Sequence, residues 1–273
     1  MTALQRLRYA LDPYELAIDV GLLPDAWQAE LLRSDARQIL LCCSRQSGKS
    51  TTTALLAAYT AVTTDGLILL ASPTLRQSGE LFRKVKDFVV GVGAEIRDES
   101  ALKMELTNGA RIISLPGEAA TIRGYSKPQL VILDEAAFIK DEMIAALRPM
   151  LAVSRGRLVM LSTPFGQRGQ FFESWTNGGE DWQRFKITAD QCPRIDKDWL
   201  DREWRQLGDY IFRSEYCCEF LGTLDSVFRY EDVQKMVSND IKPLFGEQHE
   251  LLPKRQGTGS VSSTTIEPLF RRS

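Results

Sequence analysis

The stretch from Ile39 to Tyr59 limits the possible folds of this chain more than any other. It reads ILLCCSRQSGKSTTTALLAAY: an apolar run, a polar loop that ends in Gly-Lys-Ser, and apolar residues that return with helical spacing. This order predicts a buried strand, a phosphate-binding loop and a helix in direct succession. The backbone N–H groups of such a loop converge at the positive end of the helix, which suits a polyphosphate.

Each conspicuous residue of the loop has an expected role. We expect Lys49 to reach the β- and γ-phosphates of ATP and Ser50 to offer its hydroxyl to Mg²⁺. Gly48 has no Cβ, so the backbone can approach the phosphates closely. The predicted nucleotide-binding residues are those of the whole loop: Ser44, Arg45, Gln46, Ser47, Gly48, Lys49, Ser50 and Thr51.

The loop departs in one position from the usual G-x-x-x-x-G-K-[ST] pattern. Cys43 stands where the first glycine is expected. A chance Gly-Lys-Ser in a surface loop is therefore an alternative interpretation. The strand before the loop and the helix after it favour a nucleotide site, because the motif has meaning only in that context.

Two carboxylates follow a second apolar run. Leu130 to Leu133 predicts a buried strand, and Asp134 and Glu135 come directly after it. Open α/β sheets bind ligands at the carboxyl ends of their strands. We therefore expect Asp134 to hold magnesium, and Glu135 to orient and deprotonate the water that attacks the γ-phosphate. An acidic strand end that merely caps the next helix is the alternative.

Two further polar positions are candidates for contact with the nucleotide. Gln28, in a predicted helix from Asp25 to Leu32, carries an amide that can donate and accept and so match the edge of adenine. Ser162 and Thr163 follow a predicted strand and would sense the γ-phosphate if that strand lies between the other two. A surface glutamine and a plain Ser-Thr-Pro turn are the respective alternatives.

Charge and composition limit the partners. The formal net charge of −2 argues against a chain that coats nucleic acid with its whole surface, so any DNA contact must be local. Arg83, Lys84 and Lys86 on one predicted helix form either such a contact or a solvated face. The single histidine, His249, excludes a zinc site with several imidazoles. A signal peptide and an apolar run long enough to span a membrane are also missing from the sequence.

The combined order of these motifs resembles the ATPase domain of the large terminase subunit of tailed bacteriophages, the motor that packages DNA. In that family the phosphate loop typically lacks the first glycine and carries an arginine early in the loop, as Cys43 and Arg45 do here. The motifs that carry the resemblance are Gln28, Ser44–Ser50, Ile122-Arg123-Gly124, Val131–Ala136 and Ser162-Thr163-Pro164.

The resemblance implies further roles and partners. Arg45 and Arg123 would join Lys49 and Glu135 in catalysis, with Arg123 similar to the arginine that reaches a neighbouring subunit's ATP and neutralises charge on its γ-phosphoryl group. A structural loop arginine is the alternative. Ser162 and Thr163 would form a coupling motif that links hydrolysis to movement. The implied partners are double-stranded DNA, the terminase small subunit and a portal protein that carries a homo-oligomeric ring, in the host cytoplasm and without a membrane.

The implied fold class is α/β: a P-loop NTPase of the ASCE/RecA-like kind, with a mostly parallel sheet flanked by helices and a short C-terminal helical linker subdomain. We expect an ATPase core over residues 1–205, the linker over 206–240 and a flexible tail over 241–273. We expect no nuclease activity, because too few residues follow Tyr230 for the family's RNase H-like domain. A fragment of a superfamily 2 helicase and a non-hydrolysing ATP-binding remnant are the alternative functions.

Overall fold

The computed structural model describes residues 1–116, 122 and 124–222, and an eight-stranded sheet lies at its centre. The strands, numbered along the chain, are β1 Gln38–Cys43, β2 Leu67–Ser72, β3 Ile96–Ser100, β4 Lys103–Leu106, β5 Arg111–Pro116, β6 Pro128–Asp134, β7 Arg157–Ser162 and β8 Trp182–Ile187. Their order is β3-β4-β5-β2-β6-β7-β1-β8. Every pairing of these strands is parallel except the two that β4 makes, so the predicted mostly parallel sheet is confirmed.

Helices cover both faces of the sheet. They are α1 Ala3–Leu11, α2 Tyr14–Asp19, α3 Ala26–Arg33, α4 Lys49–Thr63, α5 Leu75–Gly91, α6 Asp141–Ser154, α7 Gly169–Asn177 and α8 Lys197–Glu215. In β1, Ile39 and Leu41 pack with the α4 side, while Leu40 and Cys42 pack with α6 and α7. Both faces of the strand are therefore buried, which explains why its sequence is apolar without alternation.

The strand order brings three strand ends together. β7 pairs with β1 on one side and with β6 on the other, and Leu161 of β7 lies opposite both Leu41 and Asp134. The strand that ends at Ser162 thus lies between the other two, as the predicted role of Ser162 and Thr163 requires. The carboxyl ends of β1, β7 and β6 form one edge, where a ligand of an open α/β sheet binds.

The C-terminal part is described only as far as residue 222. Helix α8 runs across the predicted boundary at residue 205 and loses helical geometry at Gly208 (φ 75°, ψ 163°). The predicted tail, 241–273, lies outside the described residues. Among the helices that the structure describes, none is long and apolar enough to cross a membrane.

Candidate active site

The loop between β1 and α4 has the backbone that its sequence predicts. Gly48 precedes the first residue of α4 and has a φ of 91°, in the left-handed region that glycine adopts without strain. A Cβ at this position would lie 2.7 Å from Nε2 of Gln28, so any other residue would also force the Gln28 side chain to move. Gln46 adopts a φ of 61° as well. The loop therefore turns sharply at two positions before the helix begins.

The position without the expected glycine is part of the strand. Cys43 is fully buried and lies opposite Ile187 of β8 in register. Its φ is not positive, so the backbone does not require glycine there. Glycine is needed only where the turn occurs, at Gly48.

Lys49, Glu135 and Ser162 converge from three elements. Nζ of Lys49 lies 3.7 Å from Oε1 of Glu135, and the hydroxyl of Ser162 donates to Oε2 of Glu135 at 3.3 Å. Lys49 and Ser162 are buried. Glu135 has a φ of 52°, a conformation that is uncommon outside glycine and that clusters at functional sites. The predicted phosphate-binding lysine, base and coupling serine thus share one site.

Ser50 and Asp134 form an adjoining pair. The hydroxyl of Ser50 donates to Oδ2 of Asp134 at 3.2 Å, and the backbone N–H of Glu135 donates to Oδ1 at 3.0 Å. Burial, and then the nearby charge of Glu135, raise the pKa of Asp134 to about 6, while Lys49 and Ser50 act in the opposite direction. Asp134 therefore carries a poorly compensated negative charge when it is ionised.

This pair fits magnesium. Mg²⁺ prefers oxygen ligands, commonly takes only one or two from carboxylates, and fills its shell with water and substrate phosphates. In the described part of the chain, no group of three or more His, Cys, Asp and Glu side chains could hold a metal ion. The protein ligands would then be the hydroxyl of Ser50 and the carboxylate of Asp134. A divalent cation bound there would compensate the negative charge of ionised Asp134.

A cleft of about 730 Å³ opens beside these carboxylates. Its walls include Ser50, Asp134 and Glu135 together with Arg76 and Lys84 of α5. The other cations of that helix are engaged, Arg83 with Glu80 and Lys86 with Glu99. Arg76 was not predicted as a site residue, since nothing in the local sequence shows that α5 faces the end of β6.

Gln28 contacts the loop just before α4 begins. Its side-chain oxygen accepts from the backbone N–H of Asp25 at 2.8 Å, and its Nε2 donates to the carbonyl of Ser47 at 3.5 Å. Arg194, which no motif marks, donates to both carboxylate oxygens of Asp25 at 3.0 and 2.7 Å and to the same carbonyl at 3.2 Å. Both side chains brace the loop here, and contact of Gln28 with adenine stays a prediction.

Arg45 and the start of the loop are bound to the segment after β8. The guanidinium of Arg45 pairs with Glu215 at 2.6 Å, and its backbone N–H donates to the carbonyl of Glu215 at 3.3 Å. The N–H of Ser44 donates to the carbonyl of Ile187 at 2.8 Å. Of the other predicted site residues, Thr51 is half-buried in the first turn of α4, Thr163 is buried beside Ser162, and Arg123 lies outside the described residues.

Known proteins share this sequence pattern and fold. Residues 40–235 match the family model for the terminase large subunit, T4likevirus-type, N-terminal. The terminase large subunit of Thermus virus P23-45 is 27% identical over 263 residues, which cover 82% of this chain and 54% of that protein. The chain thus spans about half the length of the curated relative it matches.

Two solved structures show the same fold. The ATPase domain of the large terminase of Thermus phage P74-26 superposes with a TM-score of 0.68 at 22% identity, covering 76% of this chain and 98% of that one. The large terminase of a thermophilic bacteriophage, solved in complex with ATP-γ-S, gives 0.60 at 16% identity, covering 72% of this chain and 52% of that one. Because the family model matches well over half of the residues, this chain belongs to the terminase large subunit family, T4-like type, N-terminal domain.

Proposed function

We propose that this chain hydrolyses ATP and that hydrolysis powers the movement of double-stranded DNA into a procapsid. One observation carries the proposal: the phosphate-loop residues Lys49 and Ser50 meet Glu135 and Asp134 at 3.7 and 3.2 Å, from opposite sides of one sheet edge. The large terminase of the thermophilic bacteriophage binds ATP-γ-S and, in another crystal, ADP, which supports an adenine nucleotide as the ligand of this chain.

The geometry supports a role for each side chain around the reacting phosphate. Lys49 and the loop N–H groups would hold the β- and γ-phosphates, and Ser50 and Asp134 would hold magnesium, whose charge offsets that of the phosphates. Glu135 would accept the proton of the attacking water. Lys49 occupies Oε1 of Glu135 here, so its transfer to the phosphates would free that oxygen for water.

Ser162 would keep the base in position during this exchange. Its hydroxyl donates to Oε2 of Glu135, whereas the closest approach of Lys49 is to Oε1. Ser162 is the last residue of β7. A movement of Glu135 on loss of the γ-phosphate would therefore be transmitted to that strand through Ser162. This contact supports the coupling role that the family resemblance implies for Ser162 and Thr163.

The larger assembly is part of the proposal and rests on the family. We infer a homo-oligomeric ring on the portal protein, with double-stranded DNA and the terminase small subunit as partners, in the host cytoplasm. In such a ring Arg123 would act on the ATP of the adjacent subunit. Arg45, paired with Glu215, would join the triphosphate when that pair opens.

Steady-state ATPase rates and nucleotide affinities of three variants test the proposal. Glu135→Gln should lower the rate by about 10²-fold or more and leave ATP affinity close to wild type, since only the proton acceptor is lost. Lys49→Ala should keep the fold, checked by circular dichroism, and lose ATP binding. Glu142→Gln, a matched change of an exposed carboxylate on α6, should have no effect.

Two results would contradict the proposal. Equal low rates in wild type and Glu135→Gln, with ATP bound by both, would indicate a protein that binds ATP without hydrolysing it. Unchanged nucleotide affinity in Lys49→Ala would show that the loop is not the phosphate site.

A further inference from the structure

A second cavity adjoins the phosphate loop on the side of β8. Its volume is about 580 Å³, which is within the range of about 300–1,000 Å³ typical of small-molecule sites. Its described lining consists of one loop residue and five residues of the segment that follows β8: Gln46, Arg194, Ile195, Asp196, Trp199 and Arg202.

The position of this cavity matches the direction in which a bound nucleotide must extend. β1 lies between β7 and β8, so the loop that follows it has the catalytic carboxylates on its β7 side and the cavity on its β8 side. A triphosphate whose γ-phosphate faces Glu135 therefore directs its nucleoside away from that residue. Gln46 and Arg194 link the loop to the cavity, because Gln46 belongs to the loop and Arg194 donates to the carbonyl of Ser47.

We propose that this cavity binds the adenosine half of ATP, with the base packed against the indole of Trp199. The proposal rests on the ATPase function proposed above and assigns the recognition of the base to residues that no sequence motif marks. Under this assignment Gln28 acts as a positioning residue through Ser47, to whose carbonyl its amide already donates.

The backbone of Trp199 is fixed at the start of α8 and its ring packs against Tyr216, while part of the ring stays accessible. Its backbone N–H donates to the carboxylate of Asp196 at 2.7 Å, which caps α8. Its ring meets Tyr216 nearly edge-on, with the centroids 5.7 Å apart and the planes at 77°. Trp199 is still 36% exposed. A rigid aromatic surface of this kind costs little entropy when a planar base stacks on it.

Arg202 supplies a second group for the nucleoside. It lies three residues after Trp199, on the same side of α8, and forms no ion pair with any residue the structure describes. A guanidinium can stack on an aromatic base or donate to ribose hydroxyls and to the α-phosphate. Arg194, in contrast, is already bound to Asp25 and serves to hold the wall of the cavity against the loop.

The test compares the affinities for ATP and for inorganic tripolyphosphate, both with Mg²⁺, by titration calorimetry on the full chain. Trp199→Ala should weaken ATP binding by about 5- to 100-fold, the usual effect of removing one stacked base contact. It should leave the affinity for tripolyphosphate within about twofold, because that ligand has no base. Trp199→Phe should restore most of the ATP affinity.

Trp204→Ala is the matched control, since Trp204 lies on the same helix, is 51% exposed and does not line the cavity. It should leave both affinities unchanged. If Trp199→Ala fails to fold, Arg202→Ala should show the same selective loss of ATP affinity.

The outcomes separate this inference from the proposed function. Equal weakening of both ligands, or unchanged ATP affinity in Trp199→Ala and Arg202→Ala, would overturn the cavity assignment and leave the phosphate site intact. A wild-type chain that binds neither ligand would overturn the proposed function and this inference with it.

Discussion

Replacing Asp134 by asparagine should stabilise the free protein and inactivate it. Burial and the neighbouring Glu135 raise the pKa of Asp134 from 3.8 to about 6. The folded chain therefore binds this proton more tightly than the unfolded chain, so the free energy of unfolding falls as pH rises from about 4 to about 6. Above about pH 6 the full free-energy cost of the buried, ionised Asp134 is present. A pKa difference of about two corresponds to about 3 kcal/mol.

Asparagine avoids this cost with little change in shape. Its amide oxygen can still accept from Ser50 or from the N–H of Glu135, the two groups that contact Asp134 in the structure. We expect Asp134→Asn to be more stable than wild type by up to about 3 kcal/mol at pH 8 and by about 1.5 kcal/mol at pH 5. These are upper limits, because asparagine offers one acceptor oxygen where Asp134 accepts hydrogen bonds on both of its oxygens. Magnesium-dependent ATP hydrolysis should be lost.

Urea unfolding between pH 5 and pH 8, in EDTA and followed by circular dichroism, measures this difference. Asp98→Asn is the control, because Asp98 is exposed on β3, and its free energy of unfolding should match wild type at each pH. A gain that does not vary with pH, or an Asp134→Asn variant that is less stable than wild type at pH 8, would refute the reasoning. Adding Mg²⁺ and ATP should then stabilise wild type but not the variant, since only wild type retains the carboxylate ligand.

Two other predictions concern the arginines. Glu215→Gln should tighten ATP binding by about two- to fivefold, because Arg45 then no longer has to leave an ion pair, which is worth about 1 kcal/mol when one partner is exposed as Arg45 is. Weaker binding in calorimetry would instead show that the ion pair holds the loop in its binding conformation. If Arg123 acts on a neighbouring subunit's ATP, the specific ATPase activity of wild type should rise with protein concentration and that of Arg123→Ala should not, and a flat wild-type curve would rule out that role.

The strands that form the candidate active site were predictable because they are buried on both faces. β1, β6 and β7 are apolar runs, and an apolar run followed by polar residues marks the carboxyl end of a parallel strand. Their lateral order cannot be read from the sequence, since it depends on which strands pair. In the structure, β7 lies between β1 and β6.

Other parts of the fold have no comparable signal. α1 and β3 are not predicted, and in both the residues are mostly exposed: Leu4, Leu7 and Leu11 of α1 are 68%, 57% and 78% exposed. When most residues of an element face solvent, the spacing of its apolar residues does not predict whether it forms a helix or a strand, or where it packs. The contacts of Arg194 with Ser47 and of Arg45 with Glu215 join residues far apart in the chain, so no local spacing marks them.

The contacts of the loop with the segment after β8 also explain why the first glycine is dispensable. The N–H groups of Ser44 and Arg45 donate to the carbonyls of Ile187 and Glu215, so the extended chain of β1 continues past Cys43 with partners on that side. The turn is thereby delayed to Gln46 and Gly48, where φ is positive. Because Glu215 lies at the end of α8, any shift of that helix end must lengthen or break a hydrogen bond to the phosphate loop. The candidate phosphate loop and the C-terminal end of α8 are therefore joined by a backbone hydrogen bond that does not depend on the charge on Arg45.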